Sequence, residues 1–335
     1  YQQKKDIEII GFLDGYKGLM YENYRIMKPE DFEDILNLGG TILGTSRCPF
    51  NKMRVIENGF DKVAAMKKTY QKLKLDCLAI LGGNGSLKTA NLLSQEGLNV
   101  IGLPKTIDND TWGTDYTFGF QSAIDIATRY LDEIQTTAAS HSRVFVVEIM
   151  GHKVGHICLS AGIAAGADII LLPEIPYDIE VVAGEIEKKV KAGKKHIVIA
   201  CAEGAISKEE SLLSKKQYKL KVATREGHSV VYEIANKLSH YIDKEIRVSC
   251  AGHAQRGGQP CAYDREISTL FGIEGAKLIM NKDFGKLVVF VNHRLDAIPL
   301  EETAGKLKYV DVQGDTVKNA KLMGISFGDE MTLSK

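Results

Sequence analysis

Short apolar runs alternate with helix-length amphipathic segments along almost the whole chain, and this rhythm constrains the fold more than any other feature. Ile7–Phe12, Cys77–Leu81, Val100–Leu103, Val144–Ile149, Ile169–Leu172, Ile197–Cys201 and Leu287–Val291 are rich in Val, Ile and Leu. Continuous runs of this kind suit strands covered on both faces of a parallel sheet, because a strand with one wet face would alternate. Between them Val63, Met66, Tyr70 and Leu73 recur at helical spacing, as do Ile124, Ala127, Leu131 and Ile134. Leu87–Glu96 reads as a helix capped by Ser86 at its start and by Gly97 at its end. The pattern predicts an open, doubly wound α/β sheet with helices on both faces. A chain of 335 residues exceeds one compact core, so two domains are expected. No Pro/Gly/Ser-rich linker parts them, so the chain is expected to cross between them more than once.

Charge narrows the function classes. Lys plus Arg and Asp plus Glu balance at 43 each, which leaves no overall field to gather nucleic acid or an anionic membrane. No apolar run approaches the roughly 18 residues of a membrane span. The six cysteines, Cys48, Cys77, Cys158, Cys201, Cys250 and Cys261, are scattered without a CxxC pair, the usage of reduced thiols in a cytoplasmic protein. Tyr1–Asp6 is polar, without a signal-peptide pattern, and reads as the tail of a helix. A doubly wound domain usually opens with a strand and a glycine-rich turn; that unit is missing ahead of Ile7, so the natural N-terminus is expected further upstream.

Three clusters hold chemistry. Leu81-Gly82-Gly83-Asn84-Gly85-Ser86 ends a strand and opens a helix. Its glycines either let backbone approach a phosphate at a helix N-terminus or simply serve a tight turn. Pro104-Lys105-Thr106-Ile107-Asp108-Asn109-Asp110 follows the next strand, at the sheet end where such folds place ligands. Its two carboxylates could divide the labour, one near Mg²⁺ and one taking a proton from an alcohol. Gly252-His253-Ala254-Gln255-Arg256-Gly257-Gly258, with Arg247 upstream, offers an imidazole and guanidinium groups suited to a phosphomonoester. Arg143, at the start of a strand that ends before Met150-Gly151, is a further candidate.

These segments, with Asp14-Gly15-Tyr16-Lys17-Gly18-Leu19, Gly39-Gly40-Thr41-Ile42-Leu43-Gly44-Thr45-Ser46-Arg47, Glu148-Ile149-Met150-Gly151 and Ala202-Glu203-Gly204, keep the order and wording of one family. The chain resembles the 6-phosphofructokinases over nearly its full length. The resemblance implies two doubly wound three-layer α/β domains with the active site in the cleft between them: 1–119 with 255–305 for the donor, and 120–254 with 306–335 for the sugar phosphate. It implies transfer of a phosphoryl group from MgATP to the 1-hydroxyl of fructose 6-phosphate, with Asp108 as general base and Thr106 beside the transferred group. Asp110 and Asn84 fall at the magnesium positions. Arg47, Cys48, Gly83, Asn84, Gly85, Ser86 and Lys105 match donor contacts, and Arg47 bridges the donor phosphates. Met150, Gly151, His152 and Glu203 match sugar contacts, while His253 and Arg256 match ligands of the 6-phosphate. Arg143 and Arg247 match arginines supplied by a neighbouring subunit, which implies a homo-oligomer, dimer or tetramer, with shared sites.

The chain departs from the family pattern in several places. The opening strand and GGxxPGxN-type loop are missing, Asn84 replaces an acid, and His152 replaces an arginine. Gly85 is the residue of ATP users, whereas Lys105 is shared with pyrophosphate users. Lys194 and Asp168 fall at positions resembling the family's effector site, where Gln135 and Ala192 replace basic residues. A pyrophosphate-dependent enzyme, or a weakly catalytic sugar-phosphate-binding regulatory subunit, are the rival readings.

Overall fold

The apolar runs form strands whose ends differ from the sequence reading by at most two residues: β1 Ile9–Phe12, β3 Leu78–Gly82, β4 Val100–Pro104, β5 Val144–Ile149, β6 Ile169–Leu171, β7 Ile197–Ala202 and β9 Lys286–Val291. Three more strands, β2 Tyr24–Met27, β8 Ile246–Cys250 and β10 Arg294–Pro299, have no continuous apolar run. All three lie at sheet edges or in a hairpin, where polar residues such as Arg247 and Asp296 remain exposed. The computed structural model describes residues 7–225, 227 and 229–332, so the helix tail read into Tyr1–Asp6 lies outside the described residues.

The chain gathers into two compact units: one from residues up to Thr106, Thr111–Phe118 and Gly257–Leu307, the other from Ile107–Asp110, Gly119–Arg256 and Lys308–Lys335. In the first, the sheet runs β10-β9-β4-β3, parallel except for β10. Side chains alternate across a strand, so β4 and β9 feed two cores. Val100, Leu287 and Val289 pack with Leu87 and Leu93 of helix Asn84–Gln95 and with Met66. Ile101, Leu103 and Val288 pack with Phe271 and Leu278 of helix Ala262–Met280. Each such side chain, fully buried, contributes about 1.5–3 kcal/mol, which is why β4 tolerates no polar residue on either face.

The expectation that Ile7–Phe12 joins the parallel sheet is corrected. β1 pairs antiparallel with β2, Ile9 opposite Met27 and Phe12 opposite Tyr24, as a separate hairpin. Asp14-Gly15 and helix Tyr16–Tyr21 return the chain beside itself at once, a connection too short for a parallel crossover. The helix read as starting after Ser86 begins instead at Asn84, with Gly83 at the cap. Gly83 holds the extended backbone of the cap without any side-chain bond, and Ser86 lies inside the first turn, so it is no cap. Gly97, at φ +89, does end that helix.

In the second unit all strands are parallel, in the order β6-β7-β5-β8. Val144, Val146, Ile197 and Ile199 pack against Val182 and Ile186 of helix Ile179–Lys191 and Val231 and Ile234 of helix Val230–Leu238. Helices Phe120–His141 and His156–Ala164 pack on the sheet as well. From β5 the chain goes out to β6, returns through β7, then crosses to β8 on the other side of β5. The crevice beyond the carboxyl ends at such a reversal is where open α/β sheets take ligands.

Candidate active site

The glycine turn of the first unit is built for close approach. β3 ends at Gly82 and helix Asn84–Gln95 opens one residue later, presenting its free backbone N–H groups. A Cβ on Gly83 would stand 3.1 Å from the Cβ of Thr106, so the turn and Thr106 pack side by side. Lys105 N donates to Gly82 O at 3.0 Å, leaving the Lys105 side chain exposed. A Cβ on Gly85 would meet nothing within 4 Å; the protein leaves that space open. Tyr16, from the Asp14-Gly15-Tyr16 motif, donates its hydroxyl to Ser86 O at 2.7 Å, and burial pushes its ionisation far above the phenol range. Arg47 is exposed between Ser46, whose Oγ donates to Asp14 O at 2.6 Å, and Cys48, whose Sγ lies 3.5 Å from the same Oγ. Asn84 Nδ2 donates to Lys306 O at 3.1 Å.

In the second unit the acidic loop and the segments expected to hold the sugar come together. Asp110 is buried, and Asn109 turns the chain at φ 53. Asp108 is raised to about 6, first by burial and next by the neighbouring charge of Asp110; Glu203 pushes the same way, while Arg256 and His152 oppose it. Those influences place Asp108, Asp110, Glu203, Arg256 and His152 in one electrostatic neighbourhood. β5 delivers Met150-Gly151 and β7 delivers Glu203, whose Oε1 accepts from Gly151 N at 3.1 Å and His152 N at 2.6 Å. Gly151 has φ +151, and a Cβ there would sit 2.5 Å from Val154 O, so only glycine fits. His152 itself stands at φ 54. Beyond β8, the turn Gly252–Arg256 leaves His253 and Arg256 exposed, while Gln255 is buried and accepts from Met150 N at 3.2 Å.

Arg143 and Arg247 are not part of this gathering. Arg143 precedes β5 and Arg247 pairs with Phe145 near the amino end of β8, whereas Met150 and His253 follow the carboxyl ends. At about 3.3 Å per residue, β5 separates Arg143 from Met150 by some 20 Å. Both arginines bind Glu245, Arg143 Nε at 2.5 Å, and hold its carboxylate below its ordinary range.

Tyr16 and Gln255, both inside motifs, went unassigned in the sequence reading because their work is done on backbone atoms. So did Glu148, which accepts from Ser229 Oγ. No residue spacing announces such partners.

The donor set can be tested against magnesium. Among the described residues no group of three or more His, Cys, Asp or Glu side chains is placed to hold a metal ion. Mg²⁺ keeps several waters and is commonly held by one or two carboxylates plus substrate phosphates, and Asp110 beside Asp108 meets that requirement. Among the described residues no helix is long and apolar enough to cross a membrane, and the six cysteines are free thiols.

Comparison with known proteins agrees with this geometry. The family model described as Phosphofructokinase matches residues 1–279. The ATP-dependent 6-phosphofructokinase of Spirochaeta thermophila is 48% identical over 327 residues, covering 96% of this chain and 89% of the relative. That of Propionibacterium freudenreichii subsp. shermanii is 41% identical over 340 residues, covering 96% and 91%. Phosphofructokinase from Saccharomyces cerevisiae superposes with a TM-score of 0.76 at 28% identity over 89% of this chain, which spans 41% of the longer yeast chain. Together with one parallel and one mostly parallel sheet and the acidic loop after β4, these matches establish that the chain belongs to the phosphofructokinase family.

Proposed function

We infer that the protein transfers the terminal phosphoryl group of ATP to the 1-hydroxyl of fructose 6-phosphate, giving fructose 1,6-bisphosphate in glycolysis. The observation that most supports this is Asp108, whose ionisation near pH 6 leaves it a carboxylate at neutral pH yet basic enough to accept an alcohol proton. Phosphoryl transfer needs positioning and charge neutralisation more than covalent help from the protein. Asp108 removes the proton as the hydroxyl attacks. Glu203 fixes the Gly151-His152 backbone on the sugar side, and His253 and Arg256 take the 6-phosphate. The Gly82–Ser86 turn, Thr106 and Arg47 receive the donor, with Cys48 and Lys105 at its margin. When bound, Mg²⁺ neutralises donor phosphate charge; Asp110 would hold it, with Asn84 contributing at most a neutral amide oxygen.

Because Arg143 and Arg247 lie at the far end of their sheet, we assign them to the 6-phosphate of a neighbouring subunit, and with them a homo-oligomer. The reaction class and free thiols support a cytoplasmic setting.

Gly85 decides the donor. The space above it is open, so Gly85→Asp should fold normally while placing a carboxylate where the α-phosphate of ATP comes. Two like charges about 4 Å apart at an effective dielectric near 20 oppose binding by roughly 4 kcal/mol. Steady-state rates with ATP and with pyrophosphate should favour ATP before the change and shift towards pyrophosphate after it. A wild-type preference for pyrophosphate, or unaltered ATP kinetics in Gly85→Asp, overturns the donor assignment. Binding of fructose 6-phosphate without turnover on either donor would establish a sensor instead.

A further inference from the structure

The residue at position 84 has an amide where the resemblance leads one to expect an acid, and the amide does something an acid cannot. Asn84 Nδ2 donates to the carbonyl oxygen of Lys306 at 3.1 Å. A carboxylate there would set oxygen against oxygen. The segment it grips has further attachments. Leu307 forms an antiparallel bridge with Thr111, the residue that follows Asp110 in the chain. The Lys306 ammonium lies over the Trp112 ring, 5.8 Å from its centroid, within reach of a cation–π attraction. Gly305 borders Lys88 of helix Asn84–Gln95, with a Cβ position 3.9 Å from Lys88 Cε.

We propose that Asn84 is a positioning residue for the reaction. It fastens the first turn of the donor helix to Lys306, and through the Leu307–Thr111 bridge to the backbone leading out of the acidic loop, so that Thr111, at the exit of that loop, is held in register with the glycine turn. The proposal rests on the reading of Asp108–Asp110 as the reacting centre. The competing role, a magnesium ligand, makes opposite predictions for one substitution.

Asn84→Asp is the same size, and an acid in the first turn of a helix is favoured by the helix dipole, so the fold should hold. Trp112 is the only tryptophan in the chain and reports on the segment directly. In the full-length protein without substrates or magnesium, Asn84→Asp should raise acrylamide quenching of Trp112 by about 1.5- to 2-fold, as loss of one hydrogen bond loosens the segment. Turnover should fall about 10-fold while the KM for ATP and half-saturating magnesium stay within about twofold, because positioning, not affinity, is lost. Lys306→Met keeps the carbonyl; it should alter Trp112 emission and leave turnover near wild type. Unchanged quenching in Asn84→Asp overturns the proposal, as does undiminished turnover with tighter magnesium dependence, the signature of a ligand. Should the wild-type protein turn over neither donor, the quenching experiment still decides whether the latch exists.

Discussion

At the scale of single residues, Asp108 is held between opposing influences. Burial and Asp110 make its charge costly, while Arg256 and His152 favour it, and it settles near 6. Two consequences can be measured. The kcat/KM for fructose 6-phosphate should decline below about pH 6 as the base takes up a proton, and Asp108→Asn should lose that acid limb along with turnover, by about 10²–10⁴ in kcat. Stability should move the other way. A folded-state ionisation raised above 3.8 means the protonated carboxyl's stabilising contribution is complete below pH 3.8 and is lost as pH rises through about 6. Asp108→Asn therefore should melt no lower than wild type at pH 8, with a gain of up to about 3 kcal/mol. A marked destabilisation at pH 8 would show that the ionised group is a structural anchor. Asp108, Asp110, His253 and Arg256 stand out in the sequence as candidates because polar groups stand beside apolar strands in patterns that a turn does not need. Asp108's raised ionisation was not legible, since it comes first from burial, which only the fold creates, and is then adjusted by Arg256, Glu203 and His152, far away in sequence.

At the scale of elements, the strands with two buried faces declared themselves and the edge strands did not. β4 and β7 are continuous apolar runs because both sides meet helices. β8 and β10 each keep one flank open, so Arg247 and Asp296 interrupt them and hide the strand. β1 misled for the opposite reason: it is apolar, yet its partner is the next segment of chain rather than a distant strand. The turn after β5 shows how an element fixes a site. Gly151→Ala would force a Cβ to within 2.5 Å of Val154 O at a φ of +151, so the Met150–Val154 turn must reshape and release Glu203. The expected result is a loss of about 10-fold or more in kcat/KM for the sugar, with the ATP KM nearly unchanged because the glycine turn lies in the other unit. Equal losses towards both substrates would contradict the assignment of this turn to the sugar.

At the scale of the whole molecule, the placement of Arg247 makes a claim about assembly. If it serves a neighbour, Arg247→Ala subunits retain Asp108 and lack only a group that Asp108→Asn subunits can lend. Mixing the two inactive variants in equal parts and allowing exchange should restore about a quarter of wild-type activity, the share expected when dimeric pairs form at random. No recovery in verified mixed assemblies would remove the shared site. The division into units has a different kind of consequence, one that belongs to synthesis. A ribosome releases β3 and β4 early, but β9, their next neighbour in the sheet, begins only at Lys286. In the interval the whole of β5 to β8 emerges with every strand of its own sheet, free to close first. Until then β4, buried along its entire length in the finished protein, has one edge bare. An unpaired apolar edge is a template for another chain, so a message truncated before the codon for Lys286 should yield aggregates rather than a usable half.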